Sequence, residues 1–341
     1  MRWIGVDLHT NSFTACFLRA DGCFETATYA MNRRGDFLRR LRQEDQLAVE
    51  STGNSRWFVA AVKKAVGRVV VVDPNKFEVI KKSTVKTDEN DAYTLSLFLS
   101  KDIIPEARVK SGIEAELSSL VATRSTLVGQ RTALINTVHN LLNAQGVKQK
   151  KERLTTKKGI EAVVQQAQKL HFPASVVLQL TVLSAQIVGL HQAIKKLDDE
   201  MIEKGKTLEG HRNLASIKGI GDKASSILLS VIGNVKDFAD ENKLAAYFGM
   251  VPTVRKSNET VHYGRITKKG SKIGRTTMVQ CALVAKRYSP YLAKFHERIK
   301  QRRGSAKANI ATARKLLTIV YQTLTNRWIF TDFARFEYTT S

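Results

Sequence analysis

The sequence predicts three successive parts: an α/β amino-terminal domain over residues 1–104, a helical coiled-coil arm over 105–205, and a mainly α carboxy-terminal domain over 206–341. Three observations predict this division. Short apolar strands alternate with helical stretches in the first part. Leucine, isoleucine and valine then recur at a four–three spacing in two long runs. Glycine-punctuated helices follow, interrupted by one densely basic stretch. A length of 341 residues is enough for two or three domains with cores of their own.

In the first part, residues 2–8 read as a strand that ends in Asp7, and Phe13 to Leu18 as a second. The turn Ala20-Asp21-Gly22 leads to a third strand around Phe24 to Tyr29, completing an antiparallel meander. A helix over about 33–43 precedes the short strand Gln46 to Glu50, which also ends in a carboxylate. Ser51-Thr52-Gly53-Asn54 opens a helix through Lys64, and the all-apolar run Val69 to Val72 is a further strand. Alternation after the meander implies parallel pairing and a mixed sheet. Three β elements followed by helices, with an acid on the first strand, resemble the ribonuclease H arrangement.

Thr87 or Asp88 is placed to cap a helix running through Ala92 to Leu99. On that helix Asp88 and Asp91 share a face, while Glu89 points elsewhere. Such a pair either complements the helix dipole or repels until a cation joins it. Asp7 and Glu50 become neighbours if their strands pair, and sites in open α/β sheets form at such carboxyl ends. Asp7, Glu50, Asp88 and Asp91 are thus four candidate metal ligands from three segments, and hard oxygen donors in this number suit Mg²⁺. The opening Gly5-Val6-Asp7 is also similar to that of sugar kinases and actin-like ATPases, but Leu8 to Ser12 lacks their phosphate-loop glycine. His9 is either a solvated loop histidine or a side chain that tunes the carboxylates.

Ile113, Leu117, Leu120, Leu127, Leu134, Val138 and Leu141 form the first heptad run, with Arg124 and Arg131 in its gaps. Leu180, Leu183, Ile187, Leu190, Ile194, Leu197 and Met201 form the second. A basic segment, Lys148 to Lys158, and a shorter helix join them. The arm either folds on itself or pairs with another subunit, and its seam arginines either meet a partner or belong to a helical spacer.

The last third opens with Ile217-Lys218-Gly219-Ile220-Gly221 followed by Asp222-Lys223, a helix-hairpin-helix pattern. Glycines there let backbone N–H groups approach a phosphate, and a plain helical hairpin uses them too. The helix Lys243 to Phe248 stops at Gly249, a C-cap. Seven Lys or Arg then fall between 255 and 275 against one acid: Arg255, Lys256, Arg265, Lys268, Lys269, Lys272 and Arg275. With Lys218, Gly219, Gly221 and Lys223 they are the candidate nucleic-acid contacts. Ser257 sits among them, on an expected loop between two strand-like pieces. It either donates a hydrogen bond to phosphate or, with flanking cations, attacks it. Helices follow over 271–288 and 306–326, with His296 to Arg303 between them as a solvated or phosphate-facing basic run.

The charge balance points the same way. Fifty-five Lys and Arg against 31 Asp and Glu leave +24, with a pI near 10.0. Nucleic acid is the expected partner of such an excess, not a membrane, for which no amphipathic anchor and no apolar run of spanning length are expected. A carboxylate at Asp7 comes too early for a signal peptide. Cys16, Cys23 and Cys281 lack metal-ligand spacing and read as reduced thiols, so a cytoplasmic, nucleoid-associated location is expected.

Together these features resemble the DEDD-type insertion-sequence transposases, the bridge-RNA-guided serine recombinase family. The carrying residues are Gly5-Val6-Asp7, Val49-Glu50-Ser51-Thr52-Gly53, Lys86-Thr87-Asp88 with Asp91-Ala92, and Ile217 to Gly221. Leu244 to Pro252 and Ile266-Thr267-Lys268-Lys269-Gly270 complete the set, which spans nearly the whole chain in order. The resemblance implies a resolvase-like first domain whose acidic tetrad, Asp7, Glu50, Asp88 and Asp91, works with Mg²⁺. It implies that Ser257 is the nucleophile, forming a covalent phosphoserine before strand exchange. It also implies a tetramer, a dimer of dimers, acting on donor and target DNA held by one structured guide RNA. The chain departs from the family pattern at Lys218, where proline is common, and at Asn258 and Glu259, where glycine is common.

Two other readings fit the residues. One is a metal-dependent junction nuclease that uses water as nucleophile and the last third for grip. The other is an architectural nucleic-acid binder without catalysis, which has no use for four convergent acids.

Overall fold

The computed structural model describes residues 1–73, 77, 87–107, 110, 112–257 and 260–330, with the backbone alone described at 256, 257 and 261. Lys86, Asn258 and Glu259 lie outside the described residues. The chain divides into two compact units, residues 1–109 and 110–341.

The first unit is built on strands β1 (Arg2–Leu8), β2 (Ser12–Arg19), β3 (Phe24–Ala30), β4 (Gln46–Glu50) and β5 (Arg68–Val72). Their order across the sheet is β3-β2-β1-β4-β5. The meander pairs antiparallel, whereas β1 with β4 and β4 with β5 pair parallel, as the strand–helix alternation implies. Helices α1 (Arg34–Arg40) and α2 (Ser55–Val62) supply Phe37, Phe58 and Val62 to one face, against Ile4, Val6, Phe13, Leu47 and Val49. The other face carries α3 (Asp88–Ser100), whose Leu95 and Leu99 pack on Ala48, Val70 and Val72. Burial on both faces is why the last strand is an unbroken valine run and not an alternating one.

Gly5 decides how close α3 comes. A Cβ there would lie 2.0 Å from the Ala92 carbonyl oxygen and 2.5 Å from the Ser96 nitrogen, so only glycine lets the helix rest on the central strand.

The second unit begins with α4 (Gly112–Ala144), α5 (Lys151–Leu154), α6 (Lys157–Lys169) and α7 (Ala174–Lys206). The arm folds on itself. Lys204 Nζ stands 2.9 Å from Glu116 Oε2, and Arg124 Nε donates to Asp198 Oδ1, so the two long helices run antiparallel. Its seam differs from the expected heptads: Leu117, Val121, Ile135, Val138 and Leu142 are buried, while Ile113 is 43% exposed. Toward the tip the third helix, α6, adds Ile160, Val163 and Ala167 to the buried face, and toward the base Leu117 and Val121 cluster with Met201 and Ile227. Arg124 is neutralised within the chain by Asp198.

The sequence expectation of no apolar run of spanning length is corrected by α7. By length and composition this helix could cross a membrane, with a mean hydropathy of 1.5 over its most apolar window. Its apolar residues are interspersed with Gln, Thr and Ser, and Leu180, Ile187 and Ile194 pack into the arm.

The remainder is α8 (His211–Ala215), α9 (Asp222–Ile232), α10 (Glu241–Tyr247), the hairpin β6 (Pro252–Ser257) and β7 (Thr260–Ile266), then α11 (Lys272–Ala285), α12 (Pro290–Arg303) and α13 (Ser305–Thr325). Leu214, Ile217, Leu228, Leu244, Phe248, Met278, Leu316 and Val320 share one core. Two expectations change. Ser257 is the last residue of β6, paired with Thr260, and not a loop residue, because the ladder extends toward the tip of the hairpin. His296 to Arg303 lies within α12, and His296 is buried, its Nε2 2.9 Å from Asn309 Oδ1.

Candidate metal centre and nucleic-acid interface

The acidic site is assembled by three local choices of the chain. Val6 pairs with Val49 in the parallel ladder, so Asp7 and Glu50 come next at neighbouring strand ends. Thr87 Oγ1 accepts from the Asn90 N–H at 3.2 Å, capping α3 and starting it at Asp88. Gly5 then lets the first turn of α3, with Asp88, Glu89 and Asp91, settle over β1. That turn also complements the helix dipole.

His9 bridges the two segments. Its Nε2 is 3.2 Å from Asp7 Oδ2 and 3.4 Å from Asp88 Oδ2. One donor atom from each of Asp7, His9 and Asp88 lies within 4.8 Å of the others. Asp91 belongs to the same neighbourhood through its charge, and Glu50 through the strand register. Burial, reinforced by Asp88 and Asp91, holds the Asp7 carboxyl above the usual range even though His9 pulls it down. For His9, burial alone would lower the imidazole, but Asp7 and Asp88 outweigh it and raise it.

Such a set suits a divalent cation. Partly desolvated carboxylates raise one another's proton affinity, which is the electrostatic tension a cation relieves. Two carboxylates and one imidazole are ordinary donors for such an ion. His9 is open to two readings in the sequence alone. The available signal was its position two residues beyond Asp7, but nothing in the sequence places Asp88 on its other side. The loop is held by two bonds: the His9 N–H donates to Ser12 O at 3.0 Å, and Asn54 Nδ2 donates to His9 O at 2.8 Å.

The candidate nucleic-acid contacts fall into three groups. Gly219, Lys223 and Lys272 line one groove of about 540 Å³ between the arm and α11, together with Arg124 and Gln280. Lys223 Nζ also stands 3.3 Å from Asp198 Oδ2. Gly219, at φ +105°, is set against Ala285, whose nitrogen a Cβ would meet at 2.7 Å, so packing already requires this glycine. Lys218 is exposed in the turn beside it, and Gly221 is the N-cap of α9.

The second group belongs to the hairpin. Arg255, paired with His262, and Arg265 are exposed, and the backbone places Lys256 and Ser257 at the end of β6. Lys268 and Lys269 are exposed at its base, where Thr267 N–H donates to Val251 O at 2.9 Å and Lys268 N–H to Gly249 O at 3.2 Å. These bonds tie the hairpin to the capped end of α10. Arg275 forms the third group alone: it is half-buried and donates to the Phe248 carbonyl at 3.0 Å, bracing the same end.

Comparisons with known proteins match two stretches of the chain. Residues 4–146 match a family model for transposases of the DEDD type of IS110, and residues 211–297 match a model described as the transposase IS116/IS110/IS902 family. The transposase for insertion sequence element IS1111A of Coxiella burnetii is 25% identical over 253 residues, covering 71% of this chain and 67% of that protein. A probable family 20 transposase of Pseudomonas aeruginosa is 26% identical, covering 72% of each. A pilin gene-inverting protein of Moraxella bovis is 28% identical over 346 residues, covering 94% of each.

Proposed function

Because the chain belongs to the DEDD-type IS110/IS116 family of insertion-sequence transposases, we propose that it cuts and exchanges DNA strands with a divalent cation and a serine nucleophile. The observation that carries this reading is the convergence of Asp7 and Asp88, from separate segments, on one point beside Asp91 and Glu50. The sheet order, with the acid-bearing strand at its centre, supports a ribonuclease H-like, resolvase-like fold for the first unit. The similarity to a protein named for inverting a gene favours exchange over hydrolysis, because inversion requires every cut strand to be rejoined.

Asp7, Glu50, Asp88 and Asp91 would hold the cation, Mg²⁺ in the simplest case, which supplies charge neutralisation at the scissile phosphate. Ser257 Oγ forms a bond to phosphorus as one P–O bond to the neighbouring nucleoside breaks. The departing oxygen keeps the electron pair and takes up a proton. A hydroxyl of the partner strand then attacks the phosphoserine and returns the serine hydroxyl, so phosphodiester bonds are conserved. Arg255, Lys256, Arg265, Lys268 and Lys269 grip the DNA backbone near the serine. The groove with Lys223 and Lys272, flanked by Lys218 and Gly221, grips a second stretch. A structured guide RNA and a tetramer, a dimer of dimers, complete the proposal, and the site of action is the cytoplasmic nucleoid.

The test uses the purified full chain with its DNA and the RNA that co-purifies when flanking non-coding DNA is co-expressed. Asp7→Asn and Ser257→Ala should each abolish strand exchange, and trapped reactions should carry DNA on the Ser257 peptide in mass spectra. Free ends together with an active Ser257→Ala protein would replace this reading by a water-using nuclease.

A further inference from the structure

We propose that His9 is a nitrogen ligand of the cation held by Asp7 and Asp88, making the site favour a first-row transition ion over Mg²⁺. The proposal rests on the reading that these carboxylates bind a divalent ion. Its own support is geometric. Donors on adjacent corners of an octahedron with bonds of about 2.1 Å are separated by roughly 3.0 Å. His9 Nε2 stands at 3.2 Å from Asp7 Oδ2 and 3.4 Å from Asp88 Oδ2, close to that octahedral edge for both.

The backbone that carries the ring is also held there by the fold. The loop carrying it is fixed on one side by its bond to Ser12 and on the other by Asn54, which follows Glu50 on the neighbouring segment. The histidine side chain remains half exposed, so an ion entering from solvent reaches it without opening the core. Mg²⁺ demands oxygen ligands and dehydrates reluctantly, whereas imidazole suits later first-row ions. One nitrogen among carboxylates therefore tilts the site away from Mg²⁺. An all-carboxylate site would show only the weak preference of its oxygens.

The decisive measurement is pulsed electron paramagnetic resonance of Mn²⁺ added to the full-length protein, with Mn²⁺ and Mg²⁺ affinities by titration calorimetry. Wild type should show nitrogen modulation from a coordinated imidazole, and His9→Asn and His9→Ala should both lose it. Their Mn²⁺ affinity should fall at least ~10-fold, the cost of losing even an outer-shell partner, with Mg²⁺ affinity changed much less. Circular dichroism should show both variants folded, since the side chain contributes nothing to the core. Bound Mn²⁺ without nitrogen modulation, or an unchanged Mn²⁺ to Mg²⁺ ratio, would overturn the role of His9 and leave the carboxylate reading standing. No binding of Mn²⁺ or Mg²⁺ to wild type would overturn both.

Discussion

Gly5 and Ala92 touch so closely that a methyl group on the first would sit 2.0 Å from the carbonyl oxygen of the second. That contact brings the start of α3 over the end of β1, and with it Asp88 over Asp7. Gly5→Ala should therefore damage both fold and site. Overpacking of this kind costs about 1–3 kcal/mol, and the obstacle here is backbone, which yields least. A lowered thermal midpoint with weakened Mn²⁺ binding is expected; a variant with unchanged melting and binding would show that α3 can move without consequence.

Asp88→Asn keeps the Thr87 cap and the shape of the side chain but removes one charge from the cluster. Strand cleavage should fall about a hundredfold or more, since a metal's charge stabilisation is worth several kcal/mol. Protein stability should change little, because losing the Asp88 charge relieves Asp7 but gives up its attraction to His9 and to the helix dipole. Cleavage assays beside urea melts separate the two effects.

His191 gives the arm a pH dependence. Burial, and then the neighbouring Arg131, lowers its affinity for a proton below the ordinary value of 6.5. The unfolded chain therefore binds the proton more readily, and stability rises with pH up to that ordinary value and is lost as pH falls below it. His191→Leu should flatten this slope between neutral and mildly acidic pH. Urea unfolding at several pH values, followed by helical signal, is the measurement.

Arg124 and Asp198 pair across the arm with about a fifth of each side chain exposed. Removing either partner leaves a poorly solvated charge, a loss of roughly 1–3 kcal/mol given the partial exposure. Arg124→Met combined with Asp198→Leu should recover most of it. A double mutant no more stable than the sum of the single changes would mean the pair is not coupled.

Thiol labelling should rank the cysteines. Cys23 is exposed, whereas Cys16 and Cys281 are buried, and burial pushes the Cys281 thiol up to about 11. At mildly alkaline pH one maleimide should add quickly at Cys23, with the other two reacting only on unfolding. Peptide mass mapping over time tests the order.

Much of the first unit was legible because its physics is local. Valine runs, the Ala20-Asp21-Gly22 turn and the Thr87 cap are sequence neighbours acting on one another, and the strand-end acids follow from them. Ser257 reads as a loop residue in the sequence because the length of a hairpin ladder depends on cross-strand pairing, which a single stretch does not reveal. His9 and Arg275 are less legible for a related reason: each has a neighbour far away in sequence. Asp88 stands on the other side of the histidine, and the Phe248 carbonyl accepts from Arg275. The arm's periodicity predicts two long helices, and both are present. Its buried seam differs from the heptads because Ile160, Val163 and Ala167 toward the tip and Ile227 toward the base, which a heptad count does not include, share it.

The antiparallel return of α7 along α4 means that the chain leaves the carboxy-terminal core and comes back to it at the same end. Arm length is thus separable from everything at its base. Deleting one heptad from each long helix would shorten the reach by about 10 Å while leaving the attachment intact. The arm is in that sense a ruler, whose length sets how far its tip stands from the core without redesigning that core.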